Sequence, residues 1–281
     1  MSSPSRVYTL GHSPDPDDAF MFYAMAENKI DLRGYRFEHR LEDIQTLNER
    51  AIRGELHISA ISIHAYAYVS DRYALLPCGA SMGDGYGPLV VAPKDRHLGN
   101  LHEQTIAVPG KMTSAYLALQ LFLGGPFRSV VVPFDEIFDL VQSGRADVGL
   151  IIHEGQLTYE RAGFVKVLDL GEWWKRETGL PLPLGGNVLR KDIPRPIRRD
   201  LLQIMRESID YGLAHHEQAV QHSMPYARDM DTGLASRFIG MYVNDYTRDY
   251  GEAGRAAIAR FLGEAQSRGY LDRRVELEFV E

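Results

Sequence analysis

The chain has a single cysteine, Cys78, so no disulfide can close within it, and its stability must come from packing. No apolar run approaches the ~20 residues of a membrane-spanning helix, which argues against membrane insertion. No lysine- or arginine-rich block offsets a net charge of −7, which argues against nucleic acid as a partner. The short basic stretch Arg195 to Arg199 is interrupted and reads as a solvated helix start. Glycine spacing for a P-loop is missing, as are a G-x-S-x-G elbow, a His-Glu-x-x-His helix and any Cys/His ligand pattern. The start, Met1 to Arg6, lacks the charged and apolar regions of a secretory signal, and the expected location is the cytoplasm.

What is present is ordinary globular material. Hydrophobic residues make up 44% and charged residues 25% of 281 positions. That length suits about two domains of roughly 150 residues each.

Strand-like and helix-like segments alternate, which predicts an α/β layered protein. Val7 to Ser13 reads as a strand, and the acid-rich loop 14–18 feeds a helix through Phe20, Tyr23 and Ala24. Asp43 or Thr46 can cap a helix with Ile44, Leu47, Ala51 and Ile52 on one face, stopped by Gly54, and Thr46 with Glu49 fits a capping box. Strands are expected at Leu56 to Ala60, Leu89 to Ala92, Thr105 to Val108, Val148 to Ile152 and Val165 to Leu170. Two segments read as connectors between lobes: the polar stretch Pro93 to Asn100, and Leu180 to Leu189 with its prolines and glycines. The expected organisation is therefore a discontinuous first lobe, 1–92 plus 190–281, enclosing a second lobe, 93–189. A hinged two-lobed clamp of this kind holds its ligand in the cleft.

The segment Val148-Gly-Leu-Ile-Ile152 runs directly into His153 and Glu154. Such a run without alternation reads as a strand covered on both faces, whose end opens into a ligand crevice. An imidazole there is suited to remove or deliver a proton; a hydrogen-bonded structural histidine is the alternative. At Pro109 to Ser114 a strand gives way to a helix. Free N–H groups and the hydroxyls of Thr113 and Ser114 suit a carboxylate or phosphate, although both residues serve equally as simple caps. Ser59-Ala60-Ile61-Ser62 forms a similar junction, where Ser62 as an N-cap is the plainer reading. The loop 13–18 has no EF-hand spacing, and the neighbours His215 and His216 point in different directions on a helix, so no metal is expected. Cys78 lacks the context of a reactive thiolate, which leaves proton abstraction a better fit than acyl transfer.

With these residues in view, the chain resembles the 1,4-dihydroxy-6-naphthoate synthase family of the futalosine route to menaquinone. The carriers are Gly-His-Ser-Pro-Asp-Pro-Asp-Asp-Ala-Phe-Met-Phe-Tyr at 11–23, Glu-Asp-Ile-Gln-Thr-Leu-Asn at 42–48, Gly-Pro-Leu-Val-Val-Ala at 87–92, Gly-Leu-Ile-Ile-His-Glu at 149–154, Asp-Leu-Gly-Glu-Trp-Trp at 169–174 and Gly-Leu-Pro-Leu-Pro-Leu-Gly-Gly at 179–186. The resemblance implies a type II periplasmic-binding-protein-like fold, each lobe a mixed, mostly parallel sheet flanked by helices. It also implies a lyase-type conversion of cyclic dehypoxanthine futalosine to 1,4-dihydroxy-6-naphthoate with no cofactor. On this chain the family's proton acceptor falls on His153, and its substrate contacts fall on Ser59, Ala60, Ile61, Ser62, Thr113 and Ser114. The chain departs from the family where a lysine is usual and Ala60 stands, and in the first loop, which gains Asp15 and Asp17. The expected partner is a small anionic substrate. The rival expectation is a non-catalytic solute-binding protein for a small carboxylate, with an effector-sensing domain ranked behind it.

Overall fold

The computed structural model describes residues 6–96, 98–228 and 230–281. Residues 1–5, which carried most of the reading of the N-terminus, and His97 of the first connector lie outside the described residues. In chain order the strands are β1 (Val7–His12), β2 (Arg36–Leu41), β3 (Ile58–Ser62), β4 (Tyr73–Leu75), β5 (Ser81–Gly83), β6 (Leu89–Pro93), β7 (Thr105–Val108), β8 (Arg128–Val131), β9 (Val148–Ile151), β10 (Phe164–Asp169) and β11 (Leu182–Arg190). They form two mixed sheets flanked by helices, ordered β2-β1-β3-β11-β4 with β5 on β11, and β10-β6-β9-β7-β8.

The two sheets share a plan. In the first, β1 runs parallel to β2 and β3; in the second, β7 runs parallel to β8 and β9. Each parallel trio is then extended by an antiparallel strand, β11 against β3 and β6 against β9. The all-apolar character of β9 fits its place, since it is buried along its length and paired on both edges.

The lobe boundaries differ from the expected ones because both fall at the far ends of strands. Residues 89–92 pair in the second sheet, and residues 182–189 pair in the first. The chain therefore crosses between β5 and β6 and returns just before β11. The segment Leu180 to Leu189 had the composition of a connector, yet most of it forms β11, the longest strand. Its proline is tolerated because Pro183 sits beside a bulge opposite short β5, where a missing N–H costs little. Gly186 is required by packing: a Cβ there would lie 2.5 Å from the Tyr250 hydroxyl.

Local signals explain the first two helices. Pro16 opens the helix Pro16–Ala26 with Asp17 and Asp18 in its first turn, where partial positive charge favours acids. The helix Ile44–Arg53 is capped by Asp43, whose carboxylate accepts from the Thr46 amide at 3.1 Å and from the Thr46 hydroxyl, and Gly54 ends it in the left-handed conformation. Thr46 is thus a donor to the cap instead of the start of a box. Leu47 and Ala51 are buried, and Ile52 faces outward.

One apolar cluster joins both sheets, including Ile61, Leu75 and Val188 from the first and Val90, Val108 and Leu150 from the second. The helix Arg195–Ala214 packs on Pro16–Ala26, burying Phe20 and Phe22 among Ile204, Met205 and Ile209. No described helix is long and apolar enough to cross a membrane.

Candidate functional site

The ends of β1, β3 and β9, the middle of β11 and the helix start at Ser114 meet between the sheets and enclose a cavity. Its walls include Asp15, Asp17 and Asp18 from the first loop, Ala60 to Ser62 from β3, Thr113 to Ala115 from the second lobe, and Gly185 to Asn187 from β11. Five of the expected contacts, Ala60, Ile61, Ser62, Thr113 and Ser114, are thus brought together. Ser59 lies behind them, fully buried, with its hydroxyl donating to the Ala60 carbonyl at 2.8 Å.

The hydroxyls have distinct tasks. Thr113 is the N-cap of the helix Ser114–Leu123; its Oγ1 accepts from the Tyr116 amide at 3.1 Å and donates to the Gly110 carbonyl at 2.9 Å. Ser114 spans the lobes, accepting from the His64 amide at 3.1 Å and donating to the Leu184 carbonyl at 2.5 Å. Ser62 makes no side-chain cap. It is held instead by Asn48, fully buried, whose Oδ1 accepts from the Ser62 amide at 2.8 Å and whose Nδ2 donates to the Ser62 hydroxyl at 3.0 Å. The N–H groups of Ser114 and Ala115, first and second in their helix, have no carbonyl four residues back and stand at the cavity wall. Free N–H groups at a helix start suit an anion.

The acids oppose that preference. Burial, then the backbone amide of Ser13 donating at 2.6 Å in the opposite sense, leaves the Asp18 carboxyl raised to about 7. Burial and the adjacent Asp18 and Asp15 raise Asp17 well above the ordinary range. The described residues lining the cavity include no lysine, arginine or histidine.

His153 stands just past β9, 7% exposed, beyond the cavity wall that Ile152 forms. Phe134 packs on its ring at 5.0 Å between centroids. The Phe134 carbonyl lies 3.0 Å from Nε2 and can only accept, so Nε2 carries hydrogen. Nδ1 faces the Gly155 amide at 3.1 Å and Glu154 Oε2 at 3.4 Å. These two contacts exclude each other: a neutral ring accepts from Gly155, and a ring protonated at Nδ1 turns its new hydrogen to the carboxylate. The Gly155 contact is the shorter and defines the resting tautomer.

Glu154 is 6% exposed and faces Arg228, which donates to both its oxygens at 2.9 and 3.2 Å. Arg228 also reaches Asp15 at 3.2 Å and lies over the Phe134 ring at 4.5 Å. Burial alone would raise the Glu154 carboxyl; His153 when it carries hydrogen on Nδ1, and then Arg228, overcome it and bring the group down to about 2. Arg228 has no signal in the sequence, because it sits in no motif and reaches the site only through the packing of the C-terminal helices. Among the described residues no group of three or more His, Cys, Asp or Glu side chains is placed to hold a metal ion.

The family profile for menaquinone biosynthesis matches residues 8–267. A 1,4-dihydroxy-6-naphthoate synthase of Thermus thermophilus is 42% identical over 260 residues, covering 92% of this chain and 94% of that protein. The chain belongs to the menaquinone biosynthesis family. It is an enzyme of that route. A solved protein of Archaeoglobus fulgidus superposes with a TM-score of 0.90 at 44% identity, covering 94% of this chain and 98% of that one. A Candida albicans protein described as having the generic periplasmic binding protein fold superposes with a TM-score of 0.70 at 12% identity, over 95% and 92% of the chains. At that identity the likeness speaks for the fold, and it agrees with the two-lobed architecture the menaquinone family was expected to have.

Proposed function

We propose that the chain is a lyase that converts cyclic dehypoxanthine futalosine to 1,4-dihydroxy-6-naphthoate in the cytoplasm, with His153 as the base that starts fragmentation. The observation that carries the role of His153 is its paired environment: a carbonyl fixes hydrogen on Nε2, and a carboxylate waits beside Nδ1. On taking a proton at Nδ1 the ring exchanges the Gly155 contact for an ion pair with Glu154, which lowers the cost of forming imidazolium in a buried place. Positioned proton transfer of this kind contributes about 10²- to 10⁴-fold.

The substrate carboxylate is assigned to the Ser114 and Ala115 amides, with Ser62 beside them. His153 stands outside the cavity lining, behind Ile152, so in this reading Nδ1 leaves its Gly155 contact and turns toward the substrate to take the proton. Membership in the menaquinone family and the relative's name support this reading. Purified protein incubated with the cyclic substrate should form the naphthoate. No product across acid, neutral and alkaline pH would overturn the assignment, and binding without turnover would favour a solute-binding protein.

A further inference from the structure

The cavity floor carries a polar atom that the protein leaves unused. Asn187 on β11 is 1% exposed and lines the cavity. Its Nδ2 donates to the Gly79 carbonyl at 3.0 Å, which fixes the orientation of the amide, since a carbonyl can face only the NH₂ end. Gly79 makes the approach possible: it has φ +75°, and a Cβ there would sit 2.5 Å from Nδ2. The other end, Oδ1, is buried with no hydrogen-bond partner. Buried acceptors are rarely left so, and an orphan in a cavity wall calls for a donor from outside the protein.

The strand register places this acceptor in a pattern. Asn187 pairs with Ala60 and Gly185 with Ser62, so these four positions share one face of the β3–β11 ladder. Ala60 and Gly185 are small and leave that face open. At the far corner Ser62 receives a hydrogen from Asn48, and no described protein acceptor takes the hydrogen of its own hydroxyl. The floor therefore offers one free acceptor and one free donor on a diagonal, separated by small residues.

We infer that the Asn187 carboxamide is a specificity-determining residue whose Oδ1 accepts a hydrogen from a hydroxyl of the bound ligand, while Ser62 donates to an oxygen of the same ligand. The inference rests on the reading of this cavity as the naphthoate-forming site. It selects for hydroxylated ring systems and against those that leave the oxygen dry.

The test is calorimetric titration with 1,4-dihydroxy-6-naphthoate and with 2-naphthoate, which keeps the rings and the carboxylate and lacks both hydroxyls. Wild-type turnover of the cyclic substrate is measured alongside. Wild type should bind the dihydroxy compound more tightly than 2-naphthoate. Asn187→Ala should weaken the dihydroxy compound about 3- to 10-fold, the worth of one net hydrogen bond, and leave 2-naphthoate within about twofold. Asn187→Leu, which keeps the volume, should erase the same preference. Equal weakening of both ligands, or of neither, overturns the inference. So does a wild type that turns over the substrate but binds both naphthoates alike, a result that needs no variant to fold. A wild type that binds neither compound and makes no naphthoate overturns the naphthoate reading and this inference with it.

Discussion

Arg228 grips Glu154 through both carboxylate oxygens, at 2.9 and 3.2 Å, and the two come from opposite sides of the cleft. Glu154 follows β9 of the second sheet, whereas Arg228 belongs to the helical C-terminal part packed on the first. The same guanidinium reaches Asp15 and covers Phe134, so it fixes the carboxylate, the loop and the ring that flank His153.

Arg228→Ala should therefore act on turnover more than on binding. The variant leaves a nearly buried carboxylate without the side chain that fixes its position, so the Glu154 carboxyl rises from about 2 and is free to move off the His153 ring. The expected loss in kcat is about 10-fold or more, in the range of a misplaced base. Arg228→Lys should recover part of it, because one guanidinium nitrogen makes the contacts to Glu154 and Asp15 and an ammonium can supply that charge, though not the guanidinium plane over Phe134. Steady-state kinetics separating kcat from KM checks this, and an effect confined to KM would contradict it.

The acids of the first loop set a pH dependence. Asp18, raised to about 7, is neutral below that pH and an anion above it, and Asp17 moves in the same direction. A carboxylate ligand is tolerated beside the neutral forms and repelled by the ionised ones. KM should therefore rise as pH passes upward through 7, and Asp18→Asn should flatten that rise. A profile of KM from pH 5.5 to 8.5 for both proteins decides it.

Alternating strands and helices, the buried β9 run ending at His153, and the junction capped by Thr113 were legible because they follow from periodicity, capping chemistry and the family's blocks. The remainder depended on neighbours. The proline- and glycine-rich stretch of β11 looks like a connector by composition, and only its pairing with β3, β4 and β5 makes it a strand. Ser62 looks like a cap until Asn48, fourteen residues earlier, is seen holding it. Asn187 and Arg228 have no local pattern at all. Their roles arise from a carbonyl at Gly79 and a carboxylate at Glu154, both far away in sequence.

Asn48 makes a stability prediction. Asn48→Ala strands the buried Ser62 amide and removes a donor from its hydroxyl, a cost of about 2–4 kcal/mol at the scale of one or two buried polar groups. Denaturant unfolding should show a lower midpoint with an unchanged slope, and a midpoint equal to wild type would contradict the account.

Gly186 makes another. Gly186→Ala places a methyl 2.5 Å from the Tyr250 hydroxyl, and such overpacking costs about 1–3 kcal/mol. The Tyr250 hydroxyl is buried beside the Asn187 backbone and makes no well-formed hydrogen bond, so Tyr250→Phe removes the obstruction at modest expense. The double variant should be more stable than Gly186→Ala alone. Additive losses in a thermal-unfolding cycle would show that the two positions do not meet as described.

His153 carries the central claim, and substitution by asparagine tests it most directly, since asparagine retains polarity without a base. Product formation from cyclic dehypoxanthine futalosine is followed together with calorimetric binding of 1,4-dihydroxy-6-naphthoate. The account predicts that His153→Asn binds the naphthoate within about threefold of wild type while kcat falls by about 10²-fold or more, the contribution of a positioned base. Wild-type turnover in the variant, or a loss explained entirely by binding, would contradict it.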